Sequence, residues 1–451
     1  MSRFQVSLPL AALVVALASG AAPRPSSAQP ALVAKGAPTA VLGISARNPN
    51  GTLAWFNPLT LEPLRGRKAP LAGHDGSWAF SADRSRIALA GECGGGGGAA
   101  SIRFVNARTM RALGDLRLSP YYWDCAGLLT WLRPNRLLVV LSSANSTQVE
   151  SSVVVIDPTT RRVLRRVSLP DAQVFGTGAT RDQLVLLFGG VDGFAPARVA
   201  VVDADGNVDS TVVDRVLVGT AVDSSSQTYR ARTISPGFAV DPEGRRAFLV
   251  PANGDIAEID LRSLTFSFHK LDHPSLLRRF LEWLTPAAEA KEMEGPVREA
   301  RWIGDGLLAV SGLDYALANQ GTESEHMVGT PAGVKLVDTR AWRAQMLSGG
   351  SSSFAVGEGL VVAQGGAWED EKPLASGPGL VAFGSDGRER WQLHPNSRLG
   401  IDISGSLGYV WLSLGHMEVV DLATGEVLRT LDRNERTNPW PWLLAAQSSG
   451  W

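Results

Sequence analysis

Two short stretches hold the densest polar chemistry in the chain. The first carries Asp314, Tyr315, Glu323, Glu325 and His326, and the second carries Trp368, Glu369, Asp370 and Glu371. Carboxylate oxygens coordinate hard cations and aromatic faces attract positive charge, so such a set suits calcium, a sugar or a cationic partner. The spacing matches no calcium-loop motif, and a pair of solvated loops is the plain alternative. Calcium is the one cofactor kept open here.

Other chemistry leaves less trace. His74, His269, His273, His326, His394 and His416 are scattered without metal-ligand spacing, and no Gly-x-Ser-x-Gly elbow stands out. Carboxylates contributed by separate loops could still serve a hydrolase or lyase, because such pairs leave no local motif. The five glycines of residues 94–98 lack the strand-to-helix setting of a phosphate loop and read as a loop tip. Tyr121, Tyr122 and Trp123 are expected to begin an inner strand beside that tip.

The elements that must position these residues repeat along the chain. Two or three strand-forming residues end at Asn or Asp, a turn follows, and a second strand leaves it. The copies end at Asn57, Asn106, Asp157, Asp203, Asp260, Asp338, Gly384 and Asp421, spaced 37 to 78 residues apart. An Asp or Asn side chain accepts from backbone amides two residues on and closes the turn. An apolar run such as residues 137–141 precedes most copies and fits a strand buried on both faces, with one more inner strand ahead of it. Four strands per unit make an all-β chain that reads as a single β-propeller, with eight blades favoured over seven. The first unit has three strands, so the segment 440–445 is expected to pair with it and close the ring.

The turns, best seen in Val420-Asp421-Leu422-Ala423-Thr424-Gly425, resemble those of the exported propellers of the YVTN-like and WD-repeat-like superfamily over residues 39–447. That resemblance implies a fold more than an activity. Glu389-Arg390-Trp391 faintly resembles the blade ends of quinone-dependent dehydrogenases, whose recurrent tryptophan-docking motif is absent.

Arg3, an apolar core at 8–18 and Ser26-Ser27-Ala28 read as a Sec-type signal over 1–28, with a linker at 29–38. The apolar run is too short to span a bilayer, so the chain is expected outside the cytoplasm, cleaved from its leader and without integral membrane association. In an oxidising compartment Cys93 and Cys125 become a disulfide candidate, since the blade map puts both on one face. The net charge of −1 offers no broad basic field, which argues against nucleic acid as a partner. A short helical insertion is expected near 274–293, with residues 274–284 presenting an apolar stripe.

Most insertions fall in the second-to-third strand connections or between blades, and these emerge on one face. Long loops on a rigid scaffold are where binding concentrates. The expectation is a monomeric, non-catalytic binding or scaffold protein that uses this face to hold a protein, carbohydrate or small molecule.

Overall fold

The computed structural model describes residues 38–45, 51–71, 77–91, 100–119, 121, 124–145, 148–169, 173–190, 193–223, 230–241, 243, 245–271, 295–319, 326–369, 377–413, 415–433 and 441–447. Blade one contains β1 (Ala40–Ser45), β2 (Thr52–Phe56) and β3 (Pro63–Pro70). Blade two contains β4 (Trp78–Phe80), β5 (Arg86–Ala90), β6 (Ser101–Asn106) and β7 (Ala112–Arg117). Blade three follows with β8 (Asp124–Arg133), β9 (Arg136–Asn145), β10 (Gln148–Asp157) and β11 (Arg162–Leu169). Blade four has β12 (Gln173–Ala179), β13 (Gln183–Gly189), β14 (Gly193–Asp203) and β15 (Val208–Asp223), to which β16 (Arg230–Ile234) is added. In blade five are β17 (Gly237–Val240), β18 (Arg246–Val250), β19 (Ile256–Asp260) and β20 (Phe266–His269). Blade six uses β21 (Gly295–Gly304), β22 (Leu307–Ala318), β24 (Val334–Asp338) and β25 (Arg343–Ser348), with β23 (His326–Pro331) standing above them. Blade seven has β26 (Ser353–Gly357), β27 (Leu360–Gln364), β29 (Leu380–Gly384) and β30 (Glu389–Leu393), while β28 (Trp368–Glu369) joins the sheet of blade six. Blade eight is β31 (Gly400–Ser404), β32 (Leu407–Ser413), β33 (His416–Asp421) and β34 (Val427–Asp432). The last strand, β35 (Trp442–Gln447), pairs antiparallel with β1 and becomes the inner strand of blade one. The chain is an eight-bladed β-propeller closed by its two ends. Among the described residues there is no helix, and hence none long and apolar enough to cross a membrane.

Closure is visible in the core. Eight hydrophobic clusters occupy the eight joints between neighbouring sheets, the last joining Val41 and Phe56 of blade one to Tyr409 and Val419 of blade eight. The apolar run in β9 shows why such runs are continuous: Leu137, Val139 and Leu141 enter the core toward blade two, while Leu138 and Val140 enter the core toward blade four. A strand buried on both faces must be apolar at every position. Side chains also tie blade to blade. Trp55 Nε1 donates to Ala107 O at 2.8 Å, Trp391 Nε1 donates to Leu422 O at 2.8 Å, and the Tyr409 hydroxyl donates to Pro58 O across the closing joint at 2.9 Å.

The Asn and Asp residues do the work expected of them. Asn57 Oδ1 accepts from the amides of Leu59 and Thr60, Asp260 from Arg262 and Ser263, and Asp338 from Arg340 and Ala341. Four residues after the side chain, the backbone turns left-handed at Leu61, Met110, Arg161, Leu264 and Trp342, and at Gly425 in blade eight. Glycine carries that conformation without Cβ strain, which explains the Thr-Gly ending of the one complete motif. In blade seven Asp386 keeps the turn by accepting from the Arg388 amide at 3.1 Å.

Several of the long connections are largely paired strands. Residues 142–145 and 148–151 continue β9 and β10, and residues 312–318 continue β22. The connection over 217–232 is partly a hairpin, with β15 residues 219–223 paired to β16. Extending the ladder satisfies backbone groups that a loop would leave to water. Tyr121 precedes β8 rather than beginning a strand and is 53% exposed. Cys125 lies in β8, paired in register with Ser142. Cys93, the glycine run, Tyr122, Trp123, the signal segment and the helical insertion fall outside the described residues.

Candidate functional site

Among the described residues, insertions from two blades of the long-loop face come together where blades six and seven meet. The lower half of β22 pairs with β24 through Leu307–Val310, and its upper half pairs with β23 through Leu313–Ala318. Gly312, where the partner changes, lies tight against β21, since a Cβ there would stand 2.1 Å from Val297 O. The β22–β23 hairpin therefore rises above the blade. At its outer edge β23 accepts β28 from the neighbouring blade, with Gly329 opposite Trp368 and Val328 opposite Glu369. Two loops from consecutive blades are thus joined by main-chain pairing.

This pairing brings Tyr315 against Trp368, ring centroids 5.9 Å apart at 76°, an edge-to-face contact. Gly329 lies between them, and a Cβ on it would stand 3.3 Å from Leu313, Trp368 and Tyr315. Burial pushes the Tyr315 hydroxyl above its ordinary value, and the charge of Arg398 opposes that rise in part. The phenol therefore stays protonated near neutral pH. Arg398 comes from the connection between blades seven and eight, held by Gly365 N donating to Leu399 O and Gly379 N donating to Ser397 O.

Asp314 points to the opposite side of the same strand. Its Oδ1 sits 2.6 Å from Arg298 Nη1, a charge-to-charge contact rather than a well-aligned hydrogen bond. Arg298 also donates to Val297 O and Leu313 O. Asp314 is therefore compensated locally, and the rim is less acidic than its composition implies. Nearer the ring axis Glu299 lies opposite Ser311 on β22, and burial raises its carboxyl while Arg301, 3.4 Å away, counteracts. The Ser311 hydroxyl is buried beside it without a hydrogen-bond partner.

No family model matches the chain, and no curated protein sequence matches it. Among solved structures it is similar to the dihydro-heme d1 dehydrogenase NirN in complex with DHE, with a TM-score of 0.52 and 11% identity over 93% of this chain and 78% of that one. Apo AztD from Citrobacter koseri aligns with a TM-score of 0.47 and 10% identity over 90% and 97% of the two chains. BamB from Moraxella catarrhalis aligns with a TM-score of 0.44 and 12% identity over 80% and 88%. At these identities the likeness to NirN is one of fold.

Of the residues singled out in sequence, Tyr315 and Trp368 are brought together, and Asp314 is drawn off to Arg298. His326 begins β23 opposite Ala318, half-buried, and the Glu369 backbone pairs with Val328. Glu323, Glu325, Asp370 and Glu371 lie outside the described residues. Arg298, Glu299, Ser311 and Arg398 escape sequence reasoning because each lies in an ordinary strand or connection and acquires its neighbours through pairing. No group of three or more His, Cys, Asp or Glu among the described residues could hold a metal ion. A groove of about 620 Å³ between the turns of blades four and five is lined by Arg181, Asp182, Asp209, Glu243 and Arg262 among others, and it carries no aromatic residue.

Proposed function

We propose that the protein is an extracytoplasmic binding propeller that holds a small molecule, carbohydrate or protein segment at the joint of blades six and seven. The reading is supported by the inter-blade pairing of β23 with β28, which fixes the Tyr315–Trp368 contact on the face with the longest insertions. Preorganised aromatic side chains lose little entropy when a ligand covers them. The placement outside the cytoplasm rests on the leader-like segment over 1–28. Calcium, with carboxylates of the two rims as donors, remains a candidate ligand.

A thermal-shift screen of the mature protein against calcium, oligosaccharides and cationic peptides tests this function. A ligand at one hundred times its Kd raises stability by about 2.7 kcal/mol. The shift should disappear in Trp368→Ala. A ligand whose shift survives in both Trp368→Ala and Tyr315→Ala would place binding elsewhere.

The alternative reading is catalytic, a hydrolase or lyase with rim carboxylates or a quinone-dependent oxidoreductase. Pyrroloquinoline quinone therefore belongs in the same screen, and a shift with it would favour that alternative.

A further inference from the structure

Charge is distributed unevenly around the ring. Residues 51–169, blades one to three with their connections, contain fifteen lysines and arginines against eight acids, although the whole chain carries −1. Arg65, Arg67 and Lys68 are exposed on β3, and Arg162, Arg165 and Arg166 are exposed on β11. Between them Arg111 and Arg117 stand exposed at the two ends of β7. All three are outer strands, so the cations form one band on the outside wall.

Three arginines of blade three are held in shape by neutral acceptors, whereas Asp115 on β7 is engaged by Arg103 at 2.8 Å. Arg161 donates to Leu113 O and Arg166 to Leu118 O of blade two, while Arg165 donates to Asp205 O and Asn207 Oδ1 of blade four. A guanidinium bound to a neutral carbonyl is positioned and keeps its positive field. On the outer strand of blade seven Arg390 lies 2.9 Å from Asp386.

We propose that the outer wall of blades one to three binds a flexible acidic polysaccharide, carboxylated or sulfated. The complementary charge is on the wall, and the wall's shape selects the kind of polyanion. The band follows three of the eight blades around a convex surface. A flat anionic bilayer would meet only part of that arc, and duplex DNA, stiff over about 150 base pairs, would not follow it. Single-stranded nucleic acid needs aromatic platforms for its bases. The large apolar side chains exposed on β7 and β11 are aliphatic: Leu113, Val163 and Leu164. A sugar polymer needs neither stiffness nor stacking, only cations at intervals.

Fluorescence anisotropy with labelled dextran sulfate, titrated across NaCl concentrations, tests the proposal. Binding at low salt should weaken along a straight line in log Kd against log salt, and uncharged dextran should not compete. The variant Arg65→Ser/Arg67→Ser/Lys68→Ser/Arg162→Ser should lose at least about tenfold in affinity and flatten that line. The variant Arg343→Ser/Arg388→Ser/Arg390→Ser/Arg429→Ser, on blades six to eight, should bind as wild type does. Circular dichroism checks both folds, and Arg65→Ser/Arg162→Ser gives an intermediate loss if the fourfold variant is unstable. Absence of binding at low salt, equal loss in both fourfold variants, or tighter binding to phosphatidylglycerol vesicles or single-stranded DNA would overturn it.

Discussion

Blade two and blade six grow from the same repeat and part company above the shared core. In blade two, β5 and β6 end within the layer that packs on its neighbours, with Phe104 and Ile102 fully buried there. In blade six, β22 runs on past Val310, exchanges β24 for β23, and ends in a hairpin that reaches the next blade. Four strands suffice to fill the joints on either side of a blade. Side chains beyond that layer are not consumed by packing and remain available for a ligand. The difference also shows how a site can be rigid without belonging to the core: β23 and β28 satisfy one another's backbone groups, so the rim is an extension of the sheet.

The strongest test of the shared part is removal of residues 441–447. Blade one would then be left with three strands and an open inner edge, and the closing core around Tyr409 would lose its cover. The expected outcome is loss of cooperative folding, read as absence of a melting transition by circular dichroism. Next in size is Phe104→Ala in the blade two core, where loss of a buried ring should cost about 3–5 kcal/mol. Chemical denaturation would measure it, and a loss below about 1 kcal/mol would break the claim that Phe104 belongs to the core of blade two.

The turns give a smaller, pH-dependent effect. Donation from the Ser263 amide and hydroxyl holds the Asp260 carboxyl below its ordinary value of 3.8. A carboxyl depressed in the folded state contributes its stability above the unfolded value and loses it as pH falls through the folded one. The contribution is therefore present at neutral pH and disappears in acid, below about pH 4. Asp260→Asn should flatten part of the acid fall in melting temperature, by about 1 kcal/mol or less because the site is solvent-exposed. Asn106 already makes the same turn in blade two without a titrating group. The smallest effect is expected above the core of blade six. A double-mutant cycle on Tyr315→Ala and Trp368→Ala should return a coupling of about 0.5 kcal/mol in denaturation, at the low end for aromatic pairs, while ligand binding changes sharply. A coupling several times larger would mean that the rim belongs to the folding core.

The repeat was legible because each of its parts is a local physical necessity. Asp157 or Asn106 before a turn, an alternating outer strand behind it and a doubly apolar strand ahead of it each answer to neighbours within a few residues or to burial on two faces. Even the three-strand first unit announced its missing partner near the chain's end. Tyr315 and Trp368 were visible as aromatics on long insertions, yet nothing local told whether those insertions were loops or strands.

Contacts made between strands and between blades are decided by register and by the closed ring. Arg298 captures Asp314 because β21 and β22 pair in a register that places Pro296 opposite Asp314. Arg398 approaches Tyr315 because Gly365 and Gly379 of blade seven hold the connection to blade eight against it. The amino-acid sequence by itself determined the blades, since strand, turn and burial patterns are short-range and repeated eight times. Tertiary structure alone decided which rim residues meet. Their contacts join positions 16 to 83 residues apart, and strand register and ring closure select them where local preference is silent.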